Sequence, residues 1–229
     1  MARKRGKQDG RPALVKRDGA LALTFVNTGS RRSRRLRDYA DLLAWSVEHG
    51  ALTAADADRL ERLAAEHPQD AEAGFAAAEE LHALLSRIFN GRVDGTAPAA
   101  ETIRELDALL ERSVPRRMLT LGRARPEWRL AEDPDRDLFR PLWPVADSAT
   151  RILTSGDYDK VRRCAGEGCD LLFLAKGRGM PRRWCSDKSC GVPLRSRRHY
   201  LRVVKPARKA EDARLAARSR RISSEVDGV

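Results

Sequence analysis

Residues 163–191, RCAGEGCDLLFLAKGRGMPRRWCSDKSCG, hold all four cysteines of this 229-residue chain. Cys164, Cys169, Cys185 and Cys190 have the spacing C-x4-C-x15-C-x4-C. Two thiolates separated by four residues fold back so that both sulfurs reach one tetrahedral ion. Two such pairs close the site and leave no open position for catalysis. Gly166 and Gly168 lie within the first pair, where a tight knuckle needs positive φ. Leu171–Leu174 and Arg182–Trp184 read as two short strands around a turn at 176–181. Two disulfides are the alternative pairing, and a cluster-binding or redox role is a third. Met1–Gly10 is basic and leads into no apolar segment, so no export signal is expected, and a reducing compartment disfavours disulfides. With Phe173 and Trp184 as its main apolar mass, the segment depends on the ion for its fold. Structural zinc contributes about 10–16 kcal/mol in comparable small domains. Chelation is therefore expected to unfold residues 160–204 and to leave residues 20–155 helical.

After Cys190 the chain continues GVPLRSRRHYLRVVKPARK. Pro193 suits a first helical turn, so Leu194–Val204 is predicted helical. Arg195, Arg198 and Arg202 then form one stripe, while Leu194 and Leu201 turn toward the metal core. A helix fixed at one end by an ion, with an arginine row outward, is built to lie along a nucleic-acid groove. Arg182, Arg183 and Arg197 extend the basic surface, and Arg pairs bidentately with phosphate or guanine.

The charge of the whole chain agrees with this placement. Its formal net charge is +12. Residues 1–37 carry 12 Lys and Arg against 2 Asp and Glu, residues 38–159 carry 14 against 24, and residues 160–229 carry 19 against 7. Only 8 of the 45 basic residues are Lys, as composition bias alone would give, but such bias does not segregate charge along a chain. The acidic centre between basic ends points to a polyanionic partner. No apolar stretch approaches the roughly 20 residues of a membrane span, so a cytoplasmic protein without a membrane partner is expected.

Residues 1–19 read as a disordered basic tail, and 20–157 as an α-rich domain. The run Leu21-Ala22-Leu23-Thr24-Phe25-Val26 reads as a strand, ending in turn chemistry at Asn27–Ser30. Asp38 caps a helix through Glu48, which ends at His49-Gly50. Thr53 caps a second helix that stops before Pro68. A third runs over 70–89 with Phe75, Ala78, Leu81, Leu85 and Ile88 on one face. A fourth spans 99–112 with Ile103, Leu106 and Leu110 inward. A hairpin follows over 118–130, and a fifth helix, kinked by Pro141 and Pro144, spans 135–155. Residues 160–204 form the cysteine unit, and 205–229 form a basic tail.

These residues resemble the CGNR-type zinc finger: Arg163-Cys164, Cys169, Leu172-Phe173, Arg182-Arg183-Trp184-Cys185-Ser186 and Cys190-Gly191. Leu21–Thr28, Leu36-Arg37-Asp38 and Ala44-Trp45 resemble the start of the ABATE domain of stress-induced transcription regulators. The resemblance covers about residues 20–204. It implies a bacterial regulator with a helical N-terminal domain, a bound zinc ion and a finger that binds duplex DNA. Two departures stand out. Val192-Pro193 replaces the Asn-Arg pair that names the finger, and Ala175 occupies a place that is often acidic. Binding is then weaker or is carried by Arg195, Arg197 and Arg198, while all four metal ligands remain.

No convergent catalytic set is present. His49, His67, His82 and His199 have no i, i+4 partner and no HExxH context. Glu79-Glu80 and Glu132-Asp133 are adjacent residues that do not face each other on a helix. A non-enzymatic role is expected. Asn27, Thr28 and Arg31 lie where a small anionic effector could dock, with turn formation as the plainer reading. The expected fold class is mainly α (α+β): a helical domain with a short strand and a hairpin, joined to a small four-cysteine zinc finger of knuckle, hairpin and basic helix. The expected function is zinc-dependent, DNA-binding transcription regulation, with a homodimer supplying adequate specificity. The alternative is an RNA-binding or adaptor protein that uses the basic face without reading bases.

Overall fold

Helix caps, rather than propensity alone, set the frame of the protein. A computed structural model describes residues 21–30, 35–113, 117–121, 126–130, 136–175 and 182–226. The expected basic tail over 1–19, Arg31 and the turn at 176–181 lie outside these residues. Asp38 accepts a hydrogen bond from the Asp41 N–H at 2.8 Å and starts α2, Tyr39–Glu48. His49 then closes α2, and Gly50 follows with φ +70°. Thr53 and Asp56 form a reciprocal capping box at the start of α3, Ala54–Glu66, satisfying two otherwise orphaned donors. Pro68 opens α4, Pro68–Val93, at a position where its missing N–H has no helical partner to lose. α5 spans Ala100–Ser113.

Three expectations change here. Leu21–Val26 is a helix, α1, and not a strand. Five of its six residues are buried. A strand at this depth would need neighbouring strands for its backbone groups, whereas a helix satisfies them internally. The Ala22 N–H is also held by Ser148 Oγ at 3.1 Å. The inward face of α5 is Thr102, Leu106 and Leu109, and Ile103 is 41% exposed. The expected kinked helix over 135–155 begins only at Trp143, as α6, Trp143–Leu153. Pro141 sits in a preceding 3-10 turn over Arg140–Leu142 and Pro144 in the first turn of α6, so neither ring interrupts a helix interior. Leu138, Leu142, Val145, Ala149 and Ile152 are all buried, as their spacing predicts.

Among the described residues the sheet structure is two hairpins. β1, Arg117–Leu121, pairs antiparallel with β2, Pro126–Leu130, with Leu119 opposite Trp128. β3, Val161–Arg163, pairs antiparallel with β4, Leu172–Leu174, with Arg162 opposite Phe173. The partner of β4 is thus β3, not Arg182–Trp184, which is not a strand. The fold class is mainly α, with these two hairpins beside the helices.

β4 joins two cores. Val161, Leu172 and Leu174 belong to the apolar core of the helical body. Phe173 packs instead with Cys164, Cys169 and Cys190, against Leu171 and Trp184. Alternate residues of a strand point to opposite faces, so one three-residue strand is buried on both.

Candidate metal centre

The first cysteine pair lies at the tip of the β3–β4 hairpin. The Cys164 N–H donates to Leu171 O at 2.9 Å, and the Cys169 N–H closes a turn onto Gly166 O at 3.0 Å. Gly168 has φ +66°, as expected, but Gly166 does not have positive φ. Gly166 is required by space: a Cβ there would lie 3.1 Å from Cys190 Sγ and 3.3 Å from Cys164 Sγ. The second pair is set by a π-helical turn over Asp187–Gly191. Ser186 starts this turn by accepting from the Ser189 N–H at 3.2 Å. The Cys190 N–H donates to Ser186 O at 3.1 Å.

These two devices bring all four sulfurs within 4.8 Å of one another. Cys185 Sγ lies 3.8 Å from Cys169 Sγ and 3.8 Å from Cys190 Sγ. A tetrahedral ion with Zn–S of about 2.3 Å has sulfur–sulfur edges of about 3.8 Å. The four cysteines are free thiols, with sulfurs at the separation of ligands on one ion and not at the roughly 2.05 Å of a disulfide bond. Electrostatics points the same way. Burial works against the Cys164 thiolate, but N–H groups of Cys185 and Gly166 donate to its sulfur and hold its pKa below the usual thiol value. Burial, reinforced by the neighbouring cysteines, pushes the Cys185 thiol far up. Burial also raises Cys169. Three or four thiolates cannot share this volume without a cation, and a bound divalent ion reverses the preference by deprotonating its ligands. The residues present therefore fit zinc, held by Cys164, Cys169, Cys185 and Cys190.

The chain leaves the site as a helix, α7, Val192–His199. A π-helical turn over Tyr200–Val204 follows, then α8, Lys205–Val226. The helix thus runs on into the basic tail. Pro206 lacks an N–H, and the wider turn immediately before it absorbs the lost i→i−4 bond. Along Val192–Leu215 only Leu194 and Val204 are partly buried among the described side chains, and the others are exposed.

The arginines divide into two groups. Arg195 makes a bidentate pair with Asp187, 2.9 Å on both arms, and lies 5.3 Å over the Trp184 ring. A Cβ on Gly191 would collide with Asp187 Oδ1 and press on Arg195 Nη1 at 3.2 Å, so this pair needs the glycine. Arg197 pairs with Glu167 in the first knuckle. Arg182 lies 4.7 Å over the Phe173 ring and donates to Cys185 O at 2.9 Å. These three brace the helix and the second knuckle against the metal core, a role that spacing alone did not reveal. Arg183 and Arg202 are exposed and make no ion pair among the described residues. Arg198 lies on the same helix.

Of the candidate effector residues, Asn27 has another task. Its Nδ2 donates to Leu172 O at 2.9 Å and its Oδ1 accepts from the Leu172 N–H at 2.8 Å. It acts as a one-residue third strand on β4. Thr28 Oγ1 donates to Phe25 O at 2.7 Å. Arg163 also ties the hairpin to the body, pairing with Asp94 at 2.7 Å and donating to Asn90 Oδ1 at 3.0 Å.

The helical body, residues 19–156, matches the family model ABATE, described as "Putative stress-induced transcription regulator". The chain belongs to the ABATE family. Residues 160–203 of this ABATE protein match the CGNR zinc finger, which contains the four-sulfur centre. Zinc is its cofactor. Both matches are regulatory or zinc-finger families and not enzyme families. No curated protein gives a significant match to the chain. Among the described residues no helix of this ABATE protein is long and apolar enough to cross a membrane.

Proposed function

We propose that this protein is a zinc-dependent transcription regulator of the bacterial cytoplasm that binds duplex DNA through its finger. The observation that carries this reading is the long basic helix running from Val192 to Val226 out of a closed metal site. Such a helix reaches about 50 Å and can follow a groove or cross it. Zinc fixes its starting point, and the Asp187–Arg195 and Glu167–Arg197 pairs fix its direction. Contacts to nucleic acid fall to Arg183 and Arg202, which are not used as braces, and to Arg198 on the same helix, continued by Lys205 and Lys209. Residues 205–226 continue the finger's helix within the basic tail of residues 205–229. The helical domain over 20–157 senses a small ligand or mediates dimerisation. Val192, Leu201 and Val203 are each about half exposed, at 46%, 50% and 46%, and give a second copy an apolar surface on this arm.

Fluorescence anisotropy on the zinc-loaded protein tests the reading, with duplex DNA, single strands and structured RNA in competition. The expected order has duplex DNA first. Replacing Arg183 and Arg202 together by Ala should lower the slope of log affinity against log salt by about 1.8, two phosphate contacts at about 0.9 each. Chelation should abolish binding. Equal affinity for all three nucleic acids, with no sequence enriched from genomic DNA, would instead support the RNA-binding or adaptor alternative.

A further inference from the structure

Beside the Asn27 clamp lies a cavity of about 320 Å³ between the end of α1, Arg35-Leu36 and the middle of α4. This volume is at the lower end of the range of about 300–1,000 Å³ in which small-molecule sites fall. Its apolar side is formed by Leu36, Phe75 and Ala78. Its polar side holds Arg35, Glu79 and His82. Two features make this lining unusual. Arg35 and Glu79 are opposite charges facing one cavity, yet neither makes an ion pair among the described residues, with the other or elsewhere. His82 Nε2 lies 3.0 Å from Val26 O, so it carries the proton and donates, which leaves Nδ1 without a protein partner among the described residues.

We infer that this cavity binds a small zwitterion with an apolar body, the chemistry of an apolar α-amino acid. The carboxylate pairs with Arg35 and the ammonium with Glu79, while the side chain lies on Leu36 and Phe75. A simple organic acid would leave Glu79 facing its carboxylate, and a simple amine would face Arg35. Only a ligand with both charges satisfies both walls. The location gives binding a consequence. His82 packs on Gly29, where a Cβ would come within 2.7 Å of the ring, and Gly29 is two residues from Asn27, which holds β4 of the finger. An occupant thus sits against the segment that couples the helical body to the zinc site. The inference rests on the reading of the helical domain as the ligand-sensing part and is independent of DNA binding.

Isothermal titration of the zinc-loaded full chain with L-leucine and L-phenylalanine, without nucleic acid, is the test. At least one should bind saturably with one site per chain. 4-Methylpentanoate and 3-methylbutylamine, which each lack one charge of leucine, should bind at least about tenfold more weakly, because one charged hydrogen bond is lost and one wall is left opposed. R35Q and E79Q, both changes of exposed side chains, should each weaken amino-acid binding by a similar factor. Absence of saturable binding by either amino acid would overturn the inference. So would binding of the acid or the amine as tight as that of leucine, a result that needs no variant.

Discussion

Asn27→Ala isolates the joint between the helical body and the finger. The carboxamide makes two hydrogen bonds to the Leu172 backbone, at 2.8 and 2.9 Å. Leu172 is only 3% exposed, so water cannot freely replace them. Removing the amide strands one N–H and one C=O. Each buried polar group left unsatisfied costs about 1–3 kcal/mol, so the pair should cost about 2–6 kcal/mol. For a domain of this size 1 kcal/mol moves the melting temperature by about 2–4 °C. The zinc-loaded variant should therefore melt about 4–24 °C lower by circular dichroism. Amide exchange at Leu172 should accelerate even where melting is blurred by aggregation. Asn27→Asp keeps the acceptor for the N–H but sets an oxygen against Leu172 O, so it should not restore the wild-type melting point. A shift below about 2 °C, with Leu172 protection retained, would refute the claim that Asn27 acts as a third strand.

Two further outcomes follow from the geometry. Gly166→Ala should weaken zinc binding by about tenfold in a chelator competition, because the new methyl presses on Cys164 and Cys190, and disturbing the groups packed around metal ligands typically costs about 10–100-fold in affinity. Gly156→Ala, where a Cβ meets nothing within 4 Å, is the matched control and should leave affinity unchanged. Tyr39 governs an alkaline limb. Burial, with Asp137 nearby, pushes its phenol well above the usual range, while its hydroxyl donates to Leu138 O at 2.9 Å. The unfolded chain loses this proton near about pH 10. Because the folded pKa is the higher one, the contribution is complete below about pH 10 and is lost as pH rises through the folded value. Unfolding free energies measured between about pH 8 and 11 should thus fall at the alkaline end, and Tyr39→Phe should flatten that fall while costing about 1–2 kcal/mol at neutral pH.

Much of this architecture is legible in local chemistry. Asp38, Thr53 and Pro68 mark three helix starts because capping depends on residues a few positions apart. The cysteine spacing announces the metal centre for the same reason, since each pair closes within one knuckle. What local reading misses is decided at long range. LALTFV has the composition of a strand, and only its position in the middle of the helices makes it α1. Asn27 reads as a turn residue, yet its partner is 145 residues away. The same holds for the arginines of α7. Spacing places Arg195 on an outward stripe, but whether it faces nucleic acid or Asp187 depends on how the knuckle folds back.

The double burial of β4 also changes how the finger and the body depend on each other. A finger whose apolar residues all faced its ion could unfold on chelation and leave the rest intact, as the composition of residues 160–204 suggests. Here Leu172 and Leu174 are 3% and 7% exposed because they complete the core of the helices, together with Val161 at 0%. Loss of the ion frees Phe173 and the knuckles, and a three-residue strand cannot remain ordered on one face alone. Unfolding it would open the core that Val161, Leu172 and Leu174 share with the helices, and would release Asn27, two residues from Gly29 in the wall of the cavity beside His82. The coupling is reciprocal by thermodynamic necessity. Whatever stabilises the corner formed by α1, Asn27 and His82 must also raise the affinity of the four cysteines for zinc, and so steady the helix that zinc aims.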